Sequence, residues 1–132
     1  MSRVFVDTSA LFALLSSTDH GNERAVRVFE RLRVQQSVLL TTSFNLVETY
    51  ALIARRLGGE AVIAFRKDVA PLLEVSWVGR ELHERGLDLM LELPAGVSLV
   101  DAVSFVFIRQ NRIDEVFALD RDFEREGFPA AN

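Results

Sequence analysis

Short apolar runs alternate with longer amphipathic stretches along the chain, the pattern of a parallel α/β fold. Arg3-Val4-Phe5-Val6 predicts a buried strand, with Asp7 at its carboxyl end. Residues 8–15 follow at once as a helix started by Asp7 or Thr8. Residues 19–36 are amphipathic: Ala25, Val26, Val28, Phe29 and Leu32 fall near helical spacing, and arginines and glutamates take the other faces. Val38-Leu39-Leu40-Thr41 is a second buried strand. Ser43 then opens a helix with Phe44, Val47 and Leu52 as its apolar set, ending in the cationic turn and glycine stop Arg55-Arg56-Leu57-Gly58-Gly59. Residues 60–73 predict a further helix broken near Pro71, and residues 74–78 a third strand that carries Trp77 into the core. Residues 80–93 are helical, Pro94-Ala95-Gly96 is a loop, and Ser98-Leu99-Val100-Asp101 has the form of a capping box. The helix it opens runs through Phe105 and Ile108 to about Arg112. Residues 115–119 form a fourth strand ending at Asp120, followed by a short helix over 122–126 and an edge strand around Phe128. No repeat, low-complexity tract or linker interrupts the chain, so residues 1–132 are expected to be one domain.

Composition narrows the chemistry. The absence of cysteine removes disulfides, Cys-ligated zinc, iron–sulfur clusters and a thiol nucleophile. His20 and His83 are too few for a His-rich metal site and neither has a second candidate base beside it, so both are expected at the surface or at caps. No run of about 18 apolar residues exists to span a membrane, and no secretory leader is expected; the chain is assigned to the cytoplasm.

Four acids stand out by position. Asp7 and Asp120 lie where strands one and four end, Asp101 sits in the first turn of a helix, and Glu48 lies in mid-helix among Phe44, Ala51 and Leu52. Open parallel sheets bind ligands beyond the carboxyl ends of their strands. Carboxylates gathered there without partners repel and raise one another's pKa, a problem a divalent cation removes. Oxygen ligands alone suit Mg²⁺ or Mn²⁺. Each acid also has a plain structural reading: Asp7 and Asp120 as helix caps, Asp101 as the capping-box acid, Glu48 as an exposed or Arg-paired residue, and Asp122 as a solvated surface acid.

The strand-end start Val4-Phe5-Val6-Asp7-Thr8-Ser9, Glu48 within Asn45-Leu46-Val47-Glu48, the pair Asp101-Ala102 and the ending Val116-Phe117-Ala118-Leu119-Asp120-Arg121-Asp122-Phe123 with Gly127-Phe128 carry a resemblance in order over nearly the whole chain. The sequence resembles PIN-domain proteins, and among them the VapC-type ribonuclease toxins. The resemblance implies a three-layer α/β/α sandwich around a parallel sheet of four to five strands in the order 3-2-1-4-5. It implies that Asp7, Glu48, Asp101 and Asp120 form a Mg²⁺ or Mn²⁺ site for RNA hydrolysis by a metal-activated water, with Thr8 or Ser9 lining it; Asp122 departs from the family pattern, which opens the fourth acidic role to sharing between Asp120 and Asp122. It further implies a homodimer and a toxin–antitoxin setting in which a small antitoxin covers the acids. The paired helices over residues 19–57 offer a surface for that dimer, although core packing explains their apolar residues equally well.

Charge tempers the substrate reading. The net charge is −4, unlike the basic balance of most small nucleic-acid binders. With the four acids set aside, the remaining residues balance at 15 basic and 15 acidic. Phosphate binding would then rest on the metal and on local arginines, with Arg109, Arg112 and Arg121 as substrate candidates beside Arg3 and Arg125. Three alternatives remain at this level: a PIN-like RNA-processing nuclease outside a toxin system, a phosphoryl-transfer domain, and a non-catalytic interaction module. The phosphoryl-transfer reading lacks an acid at position 9, which is Ser9, and a lysine on a late strand, since Lys67 is the only one.

Overall fold

The computed structural model describes residues 1–132. Four parallel strands, β1 (Arg3–Val6), β2 (Val38–Thr42), β3 (Leu73–Ser76) and β4 (Glu115–Phe117), form one sheet in the order β3-β2-β1-β4. Alternation along β1 sends Val4 and Val6 to one face and Phe5 to the other. Leu39 and Phe117 follow the first pair, and Leu40 and Val116 follow Phe5. Helices cover both faces, the arrangement a parallel sheet buried on two sides requires.

The first face is closed by α1 (Thr8–Leu15), α2 (Asn22–Val34) and α3 (Ser43–Arg56). Their residues Ala10, Leu11, Ala25, Val28, Leu32 and Ile53 are buried there with Phe65. Core packing therefore accounts for these positions of the helical pair, while Val34 and Val47 stay exposed. The second face carries α5 (Arg80–Glu92), α6 (Leu99–Gln110) and the short α7 (Asp122–Arg125), with α4 (Gly59–Ala64) lying earlier in the chain on the first side. Phe105, Phe107 and Ile108 of α6 meet Phe5, Val116 and Phe123 in this second core. Gly86 lets α5 and α6 approach closely: a Cβ at that position would stand 3.1 Å from the Val103 Cα.

Several boundaries depart from the expected ones. The helix predicted over 60–73 loses its regular form before Pro71: α4 gives way to a π-helical turn (Phe65–Val69) and a 3₁₀ turn (Ala70–Leu72), because Pro71 has no N–H for the helical ladder. Strand β3 then starts at Leu73 and ends at Ser76, which leaves Trp77 outside the sheet and 74% exposed. Trp77 is therefore not a core residue. Strand β4 stops at Phe117, two residues earlier than expected, so Leu119 and Asp120 belong to the loop beyond it. The expected edge strand near Phe128 reduces to one parallel bridge between Val116 and Ala130. At the end of α3 the glycine stop is realised by Gly58 with φ +93°, a conformation favoured for glycine alone.

The winding reverses between β1 and β4. The chain travels outward from β1 to β3 and returns to the opposite side of β1, so the crevice lies past the carboxyl ends of these two strands. The backbone N–H of Asp7 donates to the Phe117 carbonyl at 2.9 Å, which ties the loop entrances together.

Candidate metal centre

Asp7 occupies the N-cap of α1 and is 2% exposed. Its Oδ2 accepts the Ser9 backbone N–H at 3.0 Å and the Ser9 hydroxyl at 2.7 Å. Its Oδ1 is buried and has no hydrogen-bonding partner. The capping role expected of Asp7 thus uses one carboxylate oxygen and leaves the other free. Ser9 also accepts the Leu119 backbone N–H at 2.9 Å, so the same hydroxyl fixes Asp7 and the segment that presents Asp120.

Asp101 shows a similar division. The Ser98 hydroxyl accepts the Asp101 backbone N–H at 3.0 Å, but no hydrogen bond returns from the Asp101 carboxylate to the cap. Only half of the capping box forms, and the carboxylate turns to other acids. Ligand oxygens of Asp101, Asp120 and Asp122 lie within 4.8 Å of one another. Asp7 and Glu48 stand outside that limit; the Asp7 charge acts on Asp101, and the Glu48 charge acts more weakly on both. Asp122 is a member of the cluster and not a solvated acid standing apart, although its Oδ1 also accepts from Arg125 at 3.3 Å.

Electrostatics register the crowding. Burial pushes the Asp7 carboxyl up to about 7, with the Asp120 charge adding to it, while the two Ser9 hydrogen bonds oppose the rise. Burial and then the charges of Asp7, Asp120, Asp122 and Glu48 push Asp101 up to about 8. Asp120 is raised as well, first by burial, against the stabilising hydrogen bond from the Asp122 backbone N–H. Acids in such mutual repulsion await protons or a cation. The donor set fits a divalent cation: hard oxygens only, three carboxylates within one ion's reach, and the Asp7 Oδ1 left without a partner.

The turn of α3 sets where Glu48 stands. The buried side of α3 is Asn45, Thr49 and Ile53, while Val47 is 64% exposed; the Phe44, Val47 and Leu52 set is not the inward stripe. Glu48 is half-buried at the edge of the polar inward face, next to Thr49. That face is a hydrogen-bonded network that sequence reasoning did not single out. The Asn45 Nδ2 donates to the Thr42 hydroxyl at 3.0 Å and the Ser104 hydroxyl at 2.8 Å, and the Thr8 hydroxyl donates to the Asn45 Oδ1 at 3.2 Å. The Thr49 hydroxyl donates to the Asn45 carbonyl at 2.7 Å. One amide therefore joins α1, α3 and α6, the helices that carry Ser9, Glu48 and Asp101. Thr8 belongs to this network and Ser9 to the acid centre. The signal that could have found Asn45 is the polar i, i+4 pair Asn45 and Thr49 on an otherwise apolar helix face.

The candidate substrate arginines separate by position. Arg112 donates to the Met1 carbonyl at 3.1 Å and its carbonyl accepts from Arg3 at 2.7 Å, which sets both at the amino ends of the strands, away from the acids. Arg109 pairs with Glu126 at 2.7 Å and lies over the Phe128 ring at the far end of α6 from Asp101. Arg125 pairs with Asp122, and Arg121 is exposed between Asp120 and Asp122. His20 lines an open cavity beside the acids, and His83 packs edge-on against Phe44.

Known proteins share this architecture and sequence. The chain is 32% identical over 127 residues to the 23S rRNA-specific endonuclease VapC20 of Mycobacterium tuberculosis, covering 95% of each protein. The crystal structure of that VapC20, a sarcin–ricin loop cleaving toxin, superposes with a TM-score of 0.79 at 31% identity over 95% of both chains. Fold alone is shared with VapBC from Salmonella typhimurium bound to DNA (TM-score 0.69, 18% identity, 98% and 96% covered) and with VapBC2 from Rickettsia felis bound to a promoter fragment (0.66, 12%, 97% and 96%). The PIN domain profile matches residues 4–129, and the chain belongs to the PIN-domain family.

Proposed function

We propose that this protein is a Mg²⁺- or Mn²⁺-dependent endoribonuclease and the toxin of a type II toxin–antitoxin pair. The observation that carries the reading is the set of Asp101, Asp120 and Asp122 within one ion's reach, beside a buried Asp7 whose Oδ1 no protein group satisfies. The resemblance to VapC20 supports the RNA substrate, and 23S rRNA is the first RNA to offer. Likeness to VapB-bound relatives supports an antitoxin as protein partner. A homodimer and a cytoplasmic setting complete the reading; no helix is long and apolar enough to cross a membrane.

Asp7, Asp101 and Asp120 would hold the ion, with Glu48 as a further ligand or as the acceptor that orients the attacking water, and Asp122 as an accessory carboxylate. Bound there, a divalent cation supplies an activated water and charge neutralisation at the phosphodiester. Ser9 keeps the Asp7 Oδ2 occupied, so the Oδ1 is the oxygen that would be left to hold the ion. The Asn45 network ties the starts of α1 and α3 to the middle of α6, which would fix the spacing of the acids before substrate arrives. Glu48, half-buried on α3, would ligate the ion or orient the attacking water. No side-chain nucleophile is required, in keeping with the absence of cysteine.

The test is cleavage of RNA by the purified protein with Mg²⁺ or Mn²⁺, beside the Asp7→Asn variant. The reading predicts cleavage that stops in EDTA and falls by at least about a thousandfold in the variant. Equal cleavage in EDTA, or by Asp7→Asn, contradicts it.

A further inference from the structure

An open cavity of about 490 Å³ adjoins the acid centre, with Ser9 and Asp120 on its border and Phe12, Arg24, Leu52 and Arg56 in its walls. Arg24 comes from α2 and Arg56 from the last turn of α3, so two helices aim cationic side chains at one space. Neither guanidinium takes part in any of the chain's five ion pairs, and neither donates a hydrogen bond within the chain. The Arg56 guanidinium lies 5.6 Å over the Phe12 ring, which orients its plane and leaves its N–H edge free. Asp19, the other acid in the cavity wall, is engaged: its Oδ2 accepts the Gly21 backbone N–H at 2.8 Å. The cavity thus sets two unpaired guanidinium groups side by side next to the acids, where Arg121 offers only one.

We infer that Arg24 and Arg56 together hold an RNA backbone phosphate flanking the scissile linkage. The inference rests on the endoribonuclease reading and deepens it by assigning the substrate's path. A strand crossing the acid centre must place its next phosphates on one side or the other. The side bordered by Asp120 and Ser9 offers two guanidinium forks, whose geometry matches phosphate oxygens. The opposite directions offer Arg109 and Arg125, each already paired with a carboxylate. An acidic net charge and RNA binding are then compatible, because the attraction is local.

The experiment is fluorescence anisotropy with a labelled single-stranded RNA of about 12 nucleotides in Ca²⁺, across a salt series, for the wild type and for Arg24→Gln/Arg56→Gln. The expected result is binding weakened about tenfold or more at low salt, with the slope of log K against log salt smaller by about 0.7 for each phosphate the variant no longer neutralises. The Arg24→Lys/Arg56→Lys variant keeps the slope and loses only part of the affinity, because ammonium retains charge without the fork. Absence of RNA binding by the wild type, unchanged affinity and slope in the Gln variant, or weaker binding with an unchanged slope each overturns the inference. Unchanged RNA affinity would hand the cavity to another occupant, such as a protein tail. Cleavage in Mn²⁺ by the wild type is scored separately: arginine-dependent binding without cleavage defeats the nuclease reading, whereas cleavage with arginine-independent binding defeats only the phosphate site.

Discussion

At the scale of single residues, the centre depends on side chains that do two things at once. Asp7 caps a helix with one oxygen and offers the other to the crevice. Asp101 takes a cap through its backbone and leaves its carboxylate free. Capping therefore accounts for one Asp7 oxygen and leaves the other over, whereas the Asp101 carboxylate is not the acid of a capping box. Asp7→Asn keeps an oxygen for Ser9 while removing a buried charge. The variant is expected to melt higher than the wild type at pH 8 without metal, and to gain no stability from added Mn²⁺; calorimetric scans with and without the ion check both. Asn45→Ala strands the Ser104, Thr42 and Thr8 hydroxyls and is expected to cost about 1–3 kcal/mol by urea denaturation. Asp7, Asp101 and Asp120 were legible in the sequence because strand ends and helix starts can be read from pattern. Asn45 was not, since a hydrogen-bonded amide and an exposed one look alike in sequence. Asp122 was legible only as an accessory beside Asp120, because its place depends on a turn that three-dimensional packing fixes.

At the scale of elements, every strand and long helix falls within a few residues of its expected place. Apolar runs of four or five residues bounded by polar turns are strong signals when both sheet faces are covered. Departures occur where tertiary packing or proline chemistry decides. Pro71 and the close of β3 shift the chain enough to leave Trp77 in solvent, and β4 is cut short where Leu119 is drawn to the Ser9 hydroxyl. The orientation of α3 is the instructive case: its apolar residues suggested one inward face, while a buried polar network selected another. Gly86 shows the opposite conflict. Alanine is a better helix former than glycine, yet Gly86→Ala is expected to destabilise the protein by about 1–3 kcal/mol, because its Cβ would press on Val103 of α6. Chemical denaturation of the variant measures it; a stabilised variant would mean that α5 and α6 separate at little cost.

At the scale of the whole molecule, the acid centre trades stability for readiness. The folded state raises Asp7 to about 7 and Asp101 to about 8, so between pH 4 and pH 8 it holds protons that the unfolded chain has released. Stability contributed by those protons is fully present near pH 4 and is lost as the pH rises through 7 and 8. The metal-free protein is accordingly expected to melt about 5 °C or more lower at pH 8.5 than at pH 5.5, and Mn²⁺ is expected to reduce that difference. Thermal scans at the two pH values decide it.

The central claim is that acids from four separate stretches of the chain converge, with Asp7, Asp101 and Asp120 holding a divalent cation. Calorimetric titration of Mn²⁺ into the protein at pH 7, in two buffers of different ionisation heat, tests it most directly. The account predicts saturable binding below millimolar concentration with release of protons from Asp7 and Asp101, both weakened at least tenfold in Asp120→Asn. Absence of saturable binding at millimolar Mn²⁺, or binding without proton release and indifferent to Asp120, would contradict it.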